Sequence, residues 1–268
     1  MRQWFLETTE MDGLMNDRCL THGLGVFETI LAVDGRLVAV ERHFARLAAG
    51  CERLGISPID EARVSEALHA VLREDPAGRI RVRVTRTGGA GTIASLAGEG
   101  SRTLLSVAPC PDPPESLRVM TAPWPLNEHS PLAGVKGTSY AEHLVALDHA
   151  REHGVDEMIF GNTAGRLCEA ATANVFCVRG GRIATPSAES GCLPGTAAAR
   201  VLECAVEEGI GVEPCEATLE EAKKADEVFL TSATRGVFAV SEWDGVNRAV
   251  GPVTVQLRRA FERTIALS

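Results

Sequence analysis

Hydrophobic and polar positions follow two different periods along the chain, one typical of strands and one typical of helices. The changes between these periods predict the secondary-structure elements. Residues 26–33 form an apolar strand, Asp34-Gly35 fits a tight turn, and residues 36–40 return as a second strand of a hairpin. From 41 to 54 the apolar residues recur at steps of three and four, which predicts an amphipathic helix that ends at Gly55. A helical period therefore follows a strand period within thirty residues.

The rest of the chain continues this mixture of helices and short strands. The pattern predicts helices over 60–73 and 141–153, between 194–196 and Gly209, and from about 252, and strands over 79–86, 103–108, 117–121, 157–160, 173–178 and 227–231. The densest proline cluster begins at Pro109 and predicts a linker over 109–116, between an N-terminal domain over 1–108 and a C-terminal domain over 117–268. Without strict βαβ alternation, we expect a two-domain α+β protein with mixed sheets and flanking helices, rather than a Rossmann fold.

Composition and charge narrow the class of partner. The chain has 268 residues, of which 45% are hydrophobic, and this is enough apolar material for a full core. A net charge of −9 without a basic run argues against nucleic acid or an anionic membrane, so a small molecule is the better partner. No uncharged apolar run is long enough to span a bilayer, and the start of the chain lacks the apolar core of a signal peptide. Eight cysteines without a CxxC pair predict neither a zinc site nor a disulfide framework. We expect a cytoplasmic protein.

The balance between arginine and lysine in the chain draws attention to one lysine. Of 27 basic residues only three are lysines, and Lys223 and Lys224 lie in a charged stretch that a solvated helix face explains. Lys136 is instead the only charge in residues 130–140, where glycines and apolar side chains surround it. Such a lysine suits an imine or a general-base role that an arginine cannot fill, although a loop lysine in water is the alternative. Tyr140, the only tyrosine, is close enough in sequence to share its site.

A lysine that forms an imine serves either a carbonyl substrate or pyridoxal phosphate (PLP), and PLP needs two further groups. Its phosphate needs an anion site, and residues 193–197 supply one candidate because they lead into the N-terminus of a predicted helix. Its pyridine nitrogen needs a carboxylate, and Glu169 is the only one in residues 167–176. An ion pair between Glu169 and Arg166 is the alternative for this carboxylate.

These segments together resemble the class IV aminotransferases, the fold-type-IV PLP enzymes. The resemblance covers nearly the whole chain, and separate motifs carry it in order: Asn16-Asp17-Arg18, His22 to Thr29, Glu41 to Leu47, Leu132 to Lys136, Glu169 with Asn174-Val175-Phe176, Thr185-Pro186, Leu193-Pro194-Gly195, and Ala225 to Ser232. It implies a homodimer of two-domain subunits with PLP between the domains.

The resemblance also implies roles for individual residues. Lys136 matches the imine lysine, Glu169 the acid at the pyridine nitrogen, and Arg46 a phosphate-binding arginine. Tyr140 falls near the ring oxygen of the cofactor. The remaining phosphate contacts are implied at Thr196, Ala197, Ser232, Ala233 and Thr234.

Within the family, several segments look more like aminodeoxychorismate lyase than a branched-chain transaminase. They include the Gly25 to Thr29 motif, Thr85 to Gly91, and Thr234 to Val237. The resemblance therefore implies conversion of 4-amino-4-deoxychorismate to 4-aminobenzoate and pyruvate, with Arg86 or Arg235 as candidates for binding substrate carboxylates. A transaminase acting on branched-chain or D-amino acids is the alternative. A cofactor-binding protein without turnover is a third hypothesis, against which the set of Lys136, Glu169 and Arg46 argues.

Overall fold

The computed structural model describes residues 1–7, 14–74, 78–94 and 100–266. Within these residues the strands are β1 (Arg2–Phe5), β2 (Gly25–Val33), β3 (Arg36–Leu37), β4 (Arg79–Thr87), β5 (Thr103–Pro109), β6 (Ser116–Thr121), β7 (Glu157–Gly161), β8 (Leu167–Ala170), β9 (Asn174–Arg179), β10 (Arg182–Pro186), β11 (Val212–Cys215), β12 (Glu227–Ser232), β13 (Gly236–Trp243) and β14 (Val246–Asn247). The α-helices are α1 (Arg18–His22), α2 (Val40–Leu54), α3 (Glu61–Glu74), α4 (Ala141–Glu152), α5 (Thr196–Glu207), α6 (Leu219–Ala222) and α7 (Pro252–Ala266). The mixed α+β prediction is confirmed.

The chain divides into two compact units. Unit 1 holds the described residues of Met1–Asp112 together with Val135–Tyr140, and unit 2 holds Pro113–Gly134 and the described residues after 140. The segment that carries Lys136 therefore belongs to unit 1, although it lies beyond the predicted linker in sequence. Sequence order alone cannot reveal this return, because long-range contacts create it.

Unit 1 is built on an antiparallel sheet. Its described strands lie in the order β1-β5-β4-β2-β3, and α2 and α3 contribute apolar residues to the core on one face, among them Phe44, Leu47 and Leu68. The predicted hairpin and the helix after it are present. The second strand of the hairpin ends at Leu37, because Ala39 adopts a left-handed conformation with φ of 51° and α2 starts at Val40. Gly55 ends α2 in the same conformation, as expected of a C-cap glycine.

Unit 2 is built on a mixed sheet. Its described strands follow the order β11-β10-β9-β12-β13-β6-β7-β8, with β14 paired to β13. The β6–β7, β6–β13 and β10–β11 pairs are parallel, and the other pairs are antiparallel. Central strands such as β9 are buried on both faces, with Val175 facing one core and Phe176 facing another core that α5 and α7 cover. This two-sided burial explains why these strands read as continuous apolar runs.

Candidate active site

In unit 1, the backbone holds the lysine segment against the start of β2. The N–H of Phe27 donates to the carbonyl of Lys136 at 2.9 Å, and the N–H of Thr138 donates to the carbonyl of Gly25 at 2.9 Å. Because these bonds anchor the backbone at Lys136 and two residues beyond it, the position of the lysine depends on the first residues of β2. The predicted motif Gly25 to Thr29 and the predicted lysine thus form one local structure.

Two aromatic rings flank the Lys136 amine. Its Nζ lies 4.6 Å from the centroid of the Phe27 ring and 5.7 Å from that of Tyr140. The two rings meet edge to face, with centroids 5.4 Å apart and planes at 84°. We call Phe27 and Tyr140 the aromatic platform. It fixes the amine in a half-buried position with restricted hydration, an arrangement that suits a nucleophile toward a carbonyl group.

Arg83 shares this platform, although it is not among the residues predicted from the sequence. Its Cζ lies 3.7 Å from the centroid of the Phe27 ring, and among the described residues its side chain makes one hydrogen bond, from Nε to Thr85 Oγ1 at 3.2 Å. Burial lowers the pKa of Arg83, but a guanidinium stays charged and presents five N–H donors. A signal exists in the sequence, because Arg79, Arg81 and Arg83 alternate with apolar residues along β4 and so share a face.

Arg46, the predicted phosphate ligand, is oriented by a buried carboxylate. Arg46 donates from Nε to Glu28 Oε1 and from Nη2 to Glu28 Oε2, both at 2.7 Å, and His43 Nδ1 lies 2.6 Å from Oε2. The Glu28 side chain is 0% exposed. Burial opposes its charge, but the hydrogen bonds from Arg46 and His43 prevail and lower the pKa of Glu28 to about 2. The predicted contact of Arg46 with a phosphate stays a prediction.

In unit 2, Glu169 fixes the loop that precedes α5. Its Oε2 accepts the N–H of Leu193 at 3.0 Å, and its Oε1 lies 3.9 Å from Nε2 of His143. The residue is 9% exposed, so its carboxylate sits in a largely water-free position. Among the described residues Arg166 pairs instead with Glu216 at 3.2 Å, which removes the alternative of an ion pair between Arg166 and Glu169.

The chain approaches closely at the N-terminus of α5. Asn174 Nδ2 donates to the carbonyl of Leu193 at 2.8 Å, and a Cβ on Gly195 would lie 1.8 Å from Asn174 Oδ1. A larger residue at 195 would therefore push the loop away from β9. Thr196 and Ala197 are the first two residues of α5, and the positive end of a helix dipole favours an anion at such a first turn. This cradle has the chemistry that a phosphate group requires.

The hairpin loop between β12 and β13 contains the other predicted phosphate residues. Ser232 pairs with Gly236, so Ala233, Thr234 and Arg235 form the loop between them. Arg235 Nε donates to Ser232 Oγ at 3.2 Å, and its Nη2 donates to Thr172 Oγ1 at 2.6 Å. The predicted residues thus share one tight turn in unit 2.

The two arginines predicted to bind substrate carboxylates are both engaged with the protein. Arg86 is 8% exposed and donates to the Ser57 carbonyl, to Glu7 and to Thr103, at 2.8, 2.8 and 3.0 Å. Arg235 is held by the contacts described above. Their substrate role stays a prediction, and these contacts favour structural roles for both.

Comparison with known proteins identifies the family. The sequence model for amino-transferase class IV matches residues 25–243, so the chain belongs to the class IV aminotransferase family. Members of this family depend on PLP, so PLP is the cofactor of this chain. The predicted family, fold class and cofactor are confirmed. Within the described residues, no helix combines the length and apolar character needed to cross a membrane.

Individual relatives cover nearly the full length. The "Putative branched-chain-amino-acid aminotransferase" of Methanocaldococcus jannaschii is 30% identical over 258 residues, covering 92% of this chain and 88% of that protein. The crystal structure of the "Putative 4-amino-4-deoxychorismate lyase" of Legionella pneumophila has 25% identity and a TM-score of 0.88, covering 93% and 94%. The fold IV-transaminase of Curtobacterium pusillum has 27% identity and a TM-score of 0.83, covering 94% and 89%.

Each unit, taken by itself, holds residues whose chemistry fits a part of PLP. Unit 1 offers a half-buried amine on an aromatic platform, and unit 2 offers a largely buried carboxylate at Glu169. The cradle at Gly195, into which a Cβ could not fit, brings backbone N–H groups to the start of α5. An aldehyde, a pyridine nitrogen and a phosphate are each matched by one of these features.

Proposed function

We propose that this protein is an aminodeoxychorismate lyase that converts 4-amino-4-deoxychorismate to 4-aminobenzoate and pyruvate. The observation that carries the proposal is the arrangement on the aromatic platform, where the Lys136 amine and the Arg83 guanidinium lie against the same ring, Phe27. A base and a carboxylate-binding cation are thereby held close together. A substrate that carries both an amine and carboxylates suits this pair.

In this proposal the cofactor is held by the predicted residues. Lys136 would hold the aldehyde carbon covalently, Glu169 would pair with the pyridine nitrogen, and Tyr140 would lie by the ring oxygen. Arg46, the N–H groups of Thr196 and Ala197, and the turn at Ser232, Ala233 and Thr234 hold the phosphate. When bound, PLP supplies an electron-withdrawing ring that stabilises negative charge next to the substrate nitrogen.

Proton transfer falls to Lys136. With the substrate in the site, the Nζ of Lys136 would act as the base that removes the proton from the ring carbon that carries the nitrogen. The carbon–oxygen bond to the enolpyruvyl group then breaks, its oxygen leaves with the three-carbon fragment, and a proton added at the methylene carbon yields pyruvate. The atoms balance without an oxidant or a second substrate.

Arg83 is the residue that we propose for a substrate carboxylate. Its stacking on Phe27 fixes the plane of the guanidinium, and a planar fork of N–H groups can bind a carboxylate through two parallel hydrogen bonds. This role suits 4-amino-4-deoxychorismate, which carries two carboxylates, and it would also suit the single carboxylate of an amino acid.

A class IV transaminase is the second candidate, and the names of two relatives favour it. The relative with 30% identity is named for branched-chain amino acids, and a structure with 27% identity is a fold IV-transaminase. In that reaction Lys136 would move the proton of an amino acid, and a keto acid would be needed to complete the cycle. Lys136, Glu169 and Arg46 would serve both reactions alike.

An assay with the two substrate types separates the candidates. We expect the purified protein to release 4-aminobenzoate and pyruvate from 4-amino-4-deoxychorismate in the absence of any keto acid, measured by fluorescence of the product and by coupled reduction of pyruvate. The Lys136→Ala variant is the matched control and should release neither. A strict requirement for an amino-acid donor and a keto acid would establish the transaminase instead.

The predicted assembly and location also belong to this proposal. We propose that the enzyme acts as a homodimer in the cytoplasm on a small amino substrate.

A further inference from the structure

The Arg235 side chain closes the hairpin loop that joins β12 to β13. Its Nε donates to Oγ of Ser232 at 3.2 Å, across the loop formed by residues 233–235. Ser232 is half-buried and is the last residue of β12. The guanidinium therefore determines where the Ser232 hydroxyl lies.

Other groups fix the guanidinium. Its Nη2 donates to Thr172 Oγ1 at 2.6 Å and to the Thr172 carbonyl at 3.3 Å, and lies 3.4 Å from Oε2 of the fully buried Glu157. Its Cζ lies 4.5 Å from the centroid of the Phe238 ring. Contacts with three different residues besides Ser232 leave the side chain little freedom to move toward a substrate. They therefore disfavour the substrate-binding role that the sequence suggested for Arg235.

The hydrogen bond to Ser232 determines what its hydroxyl can offer. A serine hydroxyl has one proton to donate and two lone pairs to accept with. Because Arg235 occupies a lone pair of Oγ, the proton is directed elsewhere, and the positive charge of the donor polarises the O–H bond. A polarised O–H donor in a tight turn is suited to binding an anion.

We propose that Arg235 is a positioning residue for the phosphate of the cofactor. It does not contact the phosphate, but orients Ser232, which does. This inference rests on the proposed function, in which the turn at Ser232 binds that phosphate. Thr172 and Glu157 hold Arg235, Arg235 holds Ser232, and Ser232 donates to the phosphate.

The test compares two forms of the cofactor that differ only in the phosphate. Protein stripped of cofactor is titrated with PLP and separately with pyridoxal, and the ratio of the two dissociation constants is measured by visible absorbance. Both aldehydes can react with Lys136, so the ratio isolates the phosphate contribution and cancels a general loosening of the fold. The variants are Arg235→Met, Ser232→Ala and the double variant, with Arg182→Gln as a control that removes an exposed arginine paired with Glu213.

We expect the preference for PLP to fall about tenfold or more in Arg235→Met and in Ser232→Ala, and the double variant to lose no more than either single variant. The Arg182→Gln control should keep the wild-type ratio. An unchanged ratio in Arg235→Met would overturn the inference, and so would single effects that multiply in the double variant. If the wild-type protein binds neither aldehyde, the proposed function itself fails, which is a different result.

Discussion

Glu28 in unit 1 and Glu169 in unit 2 are both buried carboxylates, but their surroundings differ. Both oxygens of Glu28 are taken by Arg46 and His43 at 2.6 to 2.7 Å. Glu169 holds one backbone N–H, and its second oxygen lies 3.9 Å from His143. A buried charge needs a partner. The protein supplies the partners of Glu28 itself, whereas the geometry of Glu169 suits a partner that a ligand brings.

The largest effect that this comparison predicts concerns Glu28. The Glu28→Gln variant should lose about 3 to 5 kcal/mol of unfolding free energy in urea titrations, because the partly buried Arg46 guanidinium loses its counterion. The control Glu74→Gln removes an exposed carboxylate that pairs with Arg2, and it should stay within about 0.5 kcal/mol of the wild type. Equal losses in both variants would refute a structural role for Glu28.

Acid should weaken the same contact. The pKa of Glu28 is lowered from 4.5 to about 2, so its stabilising contribution is complete above pH 4.5 and is lost as the pH falls toward 2. The stability advantage of the wild type over Glu28→Gln should therefore shrink by about 3 kcal/mol across this window. Denaturant titrations of both proteins at several pH values measure it, and an advantage that stays constant on acidification would contradict the assignment.

Glu169→Gln should have a smaller effect on stability than Glu28→Gln and a clear effect on activity. The glutamine can still accept the N–H of Leu193, so we expect a loss of only about 1 kcal/mol in the cofactor-free protein. Activity should fall at least about tenfold, because a neutral amide cannot hold a protonated pyridine nitrogen. A large loss of stability with full activity would reverse the contrast with Glu28.

Local periodicity was enough to predict much of unit 1. The hairpin that begins with β2 and the helix α2 depend on neighbouring residues and turn signals. Their patterns are therefore visible in the sequence. Lys136 also stood out, because it is the only charge in an uncharged segment. What the sequence could not predict is that residues 135–140 pack with unit 1, since this contact joins residues more than a hundred positions apart.

Several functional details depend on such distant contacts. Arg83 reaches Phe27 across a strand pair, and Arg235 reaches Thr172 and Glu157 from a loop more than sixty residues away. The sequence suggests Arg86 and Arg235 for substrate carboxylates, but the fold engages both in protein contacts. The hydrogen bonds of a guanidinium decide whether it can serve a ligand, and only the folded chain reveals them.

The most direct test of the account uses the scarcity of lysine. Holoprotein is reduced with borohydride and digested, and mass spectrometry then locates the phosphopyridoxyl group among Lys136, Lys223 and Lys224, the only three lysines of the chain. The account predicts that the group is found on Lys136, with loss of the visible absorbance on reduction. Modification of Lys223 or Lys224 with Lys136 unmodified, or visible colour retained in Lys136→Ala, would contradict it.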